Sequence, residues 1–109
     1  MSVLFDNTDF SLGDVKYGTK KETIVHITNT YDKRVALEIT NSSCSCTYGS
    51  LKKKELLGGE VTELLVSIDT VKAGGGANQV KIIYLRYVVD GVTFSQNIRF
   101  KLNIIYLCI

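Results

Sequence analysis

The chain has 109 residues, 45% of them hydrophobic and 22% charged, with a formal net charge of +2. That is the make-up of one folded domain, 1–109, and not of a disordered tail or a chain with several cores. A balance this close to neutral argues against a nucleic-acid-binding face, which requires a clearly basic stripe. The absence of proline leaves the turns to Gly, Asn, Asp and Ser.

The segment from Met1 to Asp9 has no basic start and no apolar run of roughly 7–15 residues, so no signal peptide is expected. Val25 and Ile27 alternate with His26 and Thr28, predicting a half-buried strand over about residues 21–30. After a polar turn at Tyr31-Asp32-Lys33, Val35, Leu37 and Ile39 alternate with Ala36, Glu38 and Thr40. A cysteine-containing loop follows. Leu56 and Leu57 suit a short strand before the Gly58-Gly59 turn. Leu64, Val66 and Ile68 then share one face of a strand, with Leu65, Ser67 and Asp69 on the other. Lys72 to Asn78, with three consecutive glycines, reads as a flexible loop.

Gln79–Val89 is apolar on both faces, as a central strand is. Asp90-Gly91 between Val89 and Val92 predicts a two-residue hairpin turn, because a type I′ turn needs positive φ twice. The strand after it places Phe94, Ile98, Phe100, Leu102 and Ile104 inward and Arg99, Lys101 and Asn103 outward. Its length predicts a bulge near Gln96-Asn97. No stretch carries a helical apolar period. The longest apolar cluster, Ile104–Ile109, is too short to span a bilayer.

Chemistry-bearing residues are few. Cys44 and Cys46 are two soft thiols with one residue between them, weak candidates for a metal. Zinc calls for four ligands, and lone His26 and distant Cys108 are poor completions of the set. A disulfide between the pair is the alternative, and simple packing, with one cysteine under the sandwich end and one in the loop, is the plainest reading. His26 lies on the polar phase of its strand with no nucleophile tied to it by motif. Lys52, Lys53 and Lys54 form a basic run without interleaved aromatics, suited to guarding a sheet edge. No acid–base pair, nucleophile–base pair or complete metal set is visible, so the expectation is a protein that is not an enzyme and needs no cofactor, metal or small-molecule substrate.

Several pieces recur in a known order. They are Phe10-Ser11-Leu12-Gly13, Ile27-Thr28-Asn29-Thr30, Ser43-Cys44-Ser45-Cys46-Thr47, Leu57-Gly58-Gly59-Glu60 and Val66-Ser67-Ile68-Asp69-Thr70. In that order the chain resembles the bacterial family called domain of unknown function 1573, over about residues 6–105. Two positions depart from its pattern: Ser45 stands for a glycine between the cysteines, and Gly58 stands for a proline. The resemblance implies an all-β, immunoglobulin-like β-sandwich of about seven antiparallel strands, of the major-sperm-protein and ciliary-adaptor type.

The expected role is a structural or interaction module that binds protein partners. The leading expectation is a bacteriophage virion subunit, a capsid auxiliary or decoration protein assembled in the host cytoplasm and contacting capsid or other virion subunits. The alternatives are a bacterial extracytoplasmic binding module, and a cytoplasmic adaptor or thiol-dependent metal or redox protein. The residues expected to dock are Lys52, Lys53 and Lys54, with the apolar tail Ile104, Ile105, Tyr106, Leu107 and Ile109.

Overall fold

A computed structural model describes residues 2–106. Nine strands fill most of that span: β1 Val3–Phe5, β2 Asp9–Lys16, β3 Lys20–Asn29, β4 Val35–Ser42, β5 Thr47–Leu51, β6 Glu55–Leu56, β7 Val61–Asp69, β8 Gly76–Val89 and β9 Val92–Ile105, with a helical turn α1 at Thr70–Ala73. One sheet has the order β1-β3-β7-β5 and the other β2-β9-β8-β4-β6. Together they make the expected immunoglobulin-like sandwich. The strand count exceeds seven because short strands are counted too: β1 has three residues, and β6, at the short strand expected near Leu56, has two. The pairing is also not wholly antiparallel, since β2 runs parallel to β9.

Alternation sets the two inner faces. Val25 and Ile27 of β3 and Leu64, Val66 and Ile68 of β7 are buried from one sheet. Val35 and Leu37 of β4, Ile83 and Leu85 of β8 and Ile98, Phe100, Leu102 and Ile104 of β9 face them from the other. Phe100 is fully buried and stacks on Phe10 of β2 at 5.2 Å. Phe94 has the inward phase, yet it lies toward the hairpin tip, where it is 39% exposed and stacks on Tyr87 instead.

Two local expectations are corrected. β9 carries no bulge at Gln96-Asn97: β8 is as long as β9 and pairs with it in register from Gln79↔Leu102 to Val89↔Val92. The irregularity falls at Gly76–Gln79 instead. Lys72–Asn78 is not all loop either. The Asp69 carboxylate caps a short helix by accepting from the Val71 and Lys72 amides at 3.0 and 3.4 Å, and β8 begins at Gly76. At Gly75 a Cβ would lie 2.1 Å from the Tyr106 ring, so glycine is what lets that ring rest on the backbone there.

Two buried polar residues tie the ends of the sandwich. Asn29 is fully buried. Its Nδ2 donates to the carbonyls of Lys33, Leu56 and Leu57 at 2.7, 3.1 and 3.2 Å, and its Oδ1 accepts from Tyr31 N at 2.9 Å. At the far end Thr70, also fully buried, accepts from Gly18 N at 2.9 Å and donates to Thr19 O at 2.5 Å. Every buried side-chain polar atom among the described residues has a partner.

Three outcomes follow from this geometry. Asn29→Ala leaves three carbonyls and an amide without their partner, so thermal or denaturant unfolding should show a loss of roughly 2–4 kcal/mol. Asn29→Asp should cost no less at neutral pH, because a carboxylate has no hydrogen to give to those carbonyls. At the hairpin, Asp90 and Gly91 hold φ of 52° and 78°. Gly91→Val is expected to lower stability by about 1 kcal/mol or more, since a β-branched residue resists that region. An unchanged melting temperature would contradict it.

Candidate interaction surface and cysteine loop

The four-stranded sheet presents an unusually apolar outer face. Leu4 of β1, Ile24 of β3, Val61 and Leu65 of β7 and Tyr48 of β5 all lie on the outward phase and are 41–70% exposed. Ile24 and Leu65 are direct cross-strand partners. Between these side chains sit the His26–Asp6 pair, at 3.0 Å, and the looser Lys52–Glu63 pair, at 3.9 Å. The outer face of the five-stranded sheet is mixed: Val80, Ile82, Tyr84 and Val88 of β8 lie there among Glu38, Arg86, Ser95, Asn97, Arg99 and Lys101.

The same sheet has an open edge. β1 pairs with β3 only at Ile27, Thr28 and Asn29, and two further backbone bonds extend the contact, Asp6 N to His26 O at one end and Thr30 N to Ser2 O at the other. Among the described residues, β3 from Lys20 to Ile24 has a ladder partner on one side alone, β7. His26 turns its amide and carbonyl toward β1. By the two-residue period, those of Ile24, Glu22 and Lys20 face the same open side. Neither the edge nor the apolar face was legible from periodicity, because the β3 run reads as an ordinary half-buried strand and β1 is too short to reveal how little it covers.

The lysine run lies in the β5–β6 connection. Its backbone straps the two sheets: Lys52 N donates to Glu63 O, Lys53 N to Thr62 Oγ1, and Lys54 O accepts from Leu37 N. The tail behaves differently from the expectation of a docking element. Ile104 is a core residue, 2% exposed and paired with Val15, because it falls on the inward phase of β9. Ile105 is on the outward phase at the end of the strand. Tyr106 folds back onto its own chain, 4.5 Å from the Tyr17 ring, its hydroxyl accepting from Gly75 N. Leu107 and Ile109 lie outside the described residues.

The cysteine loop is the crossover from β4 in one sheet to β5 in the other. Cys44 and Cys46 are bonded to each other, so neither sulfur is a free metal ligand. Cys46 is 2% exposed and Cys44 is half-buried in the loop. The bond is the alternative that the sequence offered beside simple packing, the plainer reading. Among the described residues, no group of three or more His, Cys, Asp or Glu side chains comes together. No helix among them is long and apolar enough to cross a membrane. Asp6, which sequence spacing did not connect to His26, is its hydrogen-bond partner, and both stay about half exposed.

Three charged groups and one tyrosine are perturbed, each by a visible cause. Hydrogen bonds from Lys53 Nζ and from the Leu57 amide hold the Glu60 carboxyl below its ordinary value. The Lys33–Asp90 contact at 2.8 Å lowers Asp90 and raises Lys33. Burial pushes the Tyr87 phenol up, with a smaller contribution from Tyr31. A lowered carboxylate stabilises the fold above its unfolded value and loses that contribution as pH falls through its folded one. Wild type should therefore melt above Glu60→Gln at neutral pH, and the gap should close as pH falls below the ordinary carboxylate range. High salt should narrow the gap too, since the pair is solvent-accessible.

Solved structures share this β-sandwich fold at low sequence identity. The seventh PapD-like domain of human CEP192 superposes with a TM-score of 0.70 at 8% identity, over 96% of this chain and 86% of that one. The VesB protease of Vibrio cholerae matches with a TM-score of 0.72 and 17% identity over 93% of this chain. A chain of the Acinetobacter baumannii CsuC–CsuE chaperone–tip adhesion subunit pre-assembly complex matches with a TM-score of 0.67 and 14% identity over 94% of this chain. The chain spans 31% of the VesB chain and 52% of the matched chain of that complex. No curated protein matches it in sequence. The chain belongs to the family described as protein of unknown function DUF1573, whose model matches residues 3–88.

Proposed function

We propose that this domain is a non-enzymatic protein-docking module that takes an extended segment of a partner along the open edge of β3. The observation that carries this reading is the half-covered strand: among the described residues, Lys20–Ile24 has β7 on one side and no ladder on the other. A partner strand laid there gains backbone hydrogen bonds from Lys20, Glu22 and Ile24. Its alternate side chains meet Ile24, and beyond it Leu65, on the apolar outer face. The matched CsuC–CsuE structure is itself a chaperone–subunit assembly, which is in keeping with a sandwich of this class serving protein contacts.

Two settings suit such a module. On a bacteriophage virion the partner is a capsid or other head subunit, and many weak contacts on a repeating surface sum to firm attachment. Outside the cytoplasm of a bacterium the partner is an envelope or surface protein. The Cys44–Cys46 disulfide favours this second setting, because such bonds persist in oxidising compartments.

Proline at position 22 tests the docking edge. The Glu22 amide faces the open side, so Glu22→Pro removes an outward donor and spares the β7 ladder. With a photo-crosslinking residue in place of Lys20, wild type should give a discrete adduct in the producing cell. Glu22→Pro should lose the adduct with only a small drop in melting temperature, whereas Thr23→Pro, which breaks the β7 ladder, should fail to fold. An adduct that survives Glu22→Pro would sink the reading. The identity of the adduct, virion subunit or envelope protein, decides the setting.

A further inference from the structure

The cysteine loop is held in shape by bonds that do not involve sulfur. Thr47 N donates to Cys44 O at 3.1 Å, and Asp69 N donates to Cys46 O at 2.7 Å. Ser42 Oγ donates to Cys44 O at 2.9 Å. Ser43 is clamped to β8 from both sides, its amide donating to Ile82 O and its Oγ accepting from Ile82 N, each at 2.8 Å. The crossover thus keeps its path whether the sulfurs are joined or not. A ring closed across one residue also constrains the unfolded chain far less than the long loops that structural disulfides close. The bond is therefore poorly placed to serve as a staple.

The two sulfurs are unlike in their surroundings. Cys46 is 2% exposed, packed under the crossover with Thr47 Oγ1 at 3.4 Å from its sulfur. Cys44 is reachable from solvent, and the Cys46 amide points at its sulfur from 3.1 Å. That amide offers a hydrogen to the charge that Cys44 Sγ carries when the bond opens, and the Thr47 hydroxyl is placed to do the same for Cys46. One sulfur is an entrance and the other is sheltered behind it.

We infer that Cys44 and Cys46 form an exchangeable thiol–disulfide site for external thiols and disulfides, with Cys44 the entry sulfur and Cys46 the resolving one. In the reducing direction an external thiolate attacks Cys44 Sγ, the bond to Cys46 breaks, and Cys46 leaves as a thiolate that takes a proton from water. A second external thiolate attacks the outer sulfur of the mixed disulfide and releases Cys44 as a thiolate. Two external thiols become one disulfide, and the protein gains two electrons and two protons. In the oxidising direction the Cys44 thiolate attacks an external disulfide and expels one thiolate. Cys46 then attacks Cys44 Sγ and expels the other.

Glutathione is the probe. In the full chain carrying Cys108→Ser, so that the pair alone reports, reduced glutathione should open the bond while the near-ultraviolet circular dichroism stays native. Oxidised glutathione should close it again. With oxidised glutathione, the Cys46→Ser variant should accumulate a single adduct by intact mass. Cys44→Ser, left with the sheltered sulfur, should do so at least about tenfold more slowly. Cys46→Ala and Cys44→Ala repeat the comparison should either serine variant fold poorly. A bond that opens only at denaturant concentrations that unfold the protein would overturn the inference. So would equal labelling of the two single variants, or a pair that stays reduced in excess oxidised glutathione.

Discussion

The sandwich depends on one amide. Asn29 sits at the end of β3 with no access to solvent, and a buried carboxamide without partners costs more than most single contacts return. It is satisfied only if three separate segments meet around it: the β3–β4 turn through Tyr31 and Lys33, the end of β6 through Leu56, and the β6–β7 turn through Leu57. Its own backbone is enlisted as well, donating to Glu60 O and accepting from Gly59 N. β3 belongs to one sheet and β6 to the other. The requirement to pair one side chain therefore fixes how the sheets sit on each other at that end. Apolar packing alone tolerates small slips between sheets, whereas directional hydrogen bonds do not.

Much of this architecture was legible in the residues. The period-2 alternation of Val25/Ile27, Val35/Leu37 and Leu64/Val66/Ile68 is the direct image of two inner faces. Asp90-Gly91 announced its turn because few other pairs tolerate positive φ twice. The misses have physical reasons. A bulge near Gln96 was expected on the supposition that no partner strand could match β9 in length, and β8 does. The short helix at Thr70–Ala73 hid in a glycine-rich stretch because its stability comes from one capping carboxylate, Asp69, and not from a period. Asn29 itself appeared only within the Ile27–Thr30 piece of the family resemblance, since sequence spacing does not say which asparagine is buried.

The candidate site was less legible, and for a consistent reason. Sequence marks composition, and docking surfaces are made by what is left uncovered. Lys52–Lys54 stood out as a charged run, yet its backbone straps the two sheets together. Ile104–Tyr106 stood out as an apolar tail, yet Ile104 lies in the core and Tyr106 lies on Gly75. The exposed Ile24, Leu65 and Val61 looked like ordinary strand residues, and only the brevity of β1 leaves the edge beside Ile24 bare. The Cys44–Cys46 pair is intermediate. Its spacing was visible, but the contrast between a reachable and a sheltered sulfur comes from where the crossover lies over the core.

The parallel pairing of β2 with β9 has a mechanical side. The described chain is a rod of 54 × 19 × 19 Å. Ser2 hydrogen-bonds Thr30 near the pole that holds Asn29, and Tyr106 lies on Gly75 at the opposite pole. Tension drawn between those two points runs along the strands. β2 is pulled by its leading end and β9 by its trailing end, so both runs of their shared ladder, Asp9↔Arg99 to Ser11↔Lys101 and Asp14↔Asn103 to Lys16↔Ile105, are loaded in shear and not peeled one rung at a time. A load spread over all its rungs at once meets far more resistance than the same load on a terminal pair. A domain wired in this way can transmit a pull along its length while its core stays shut.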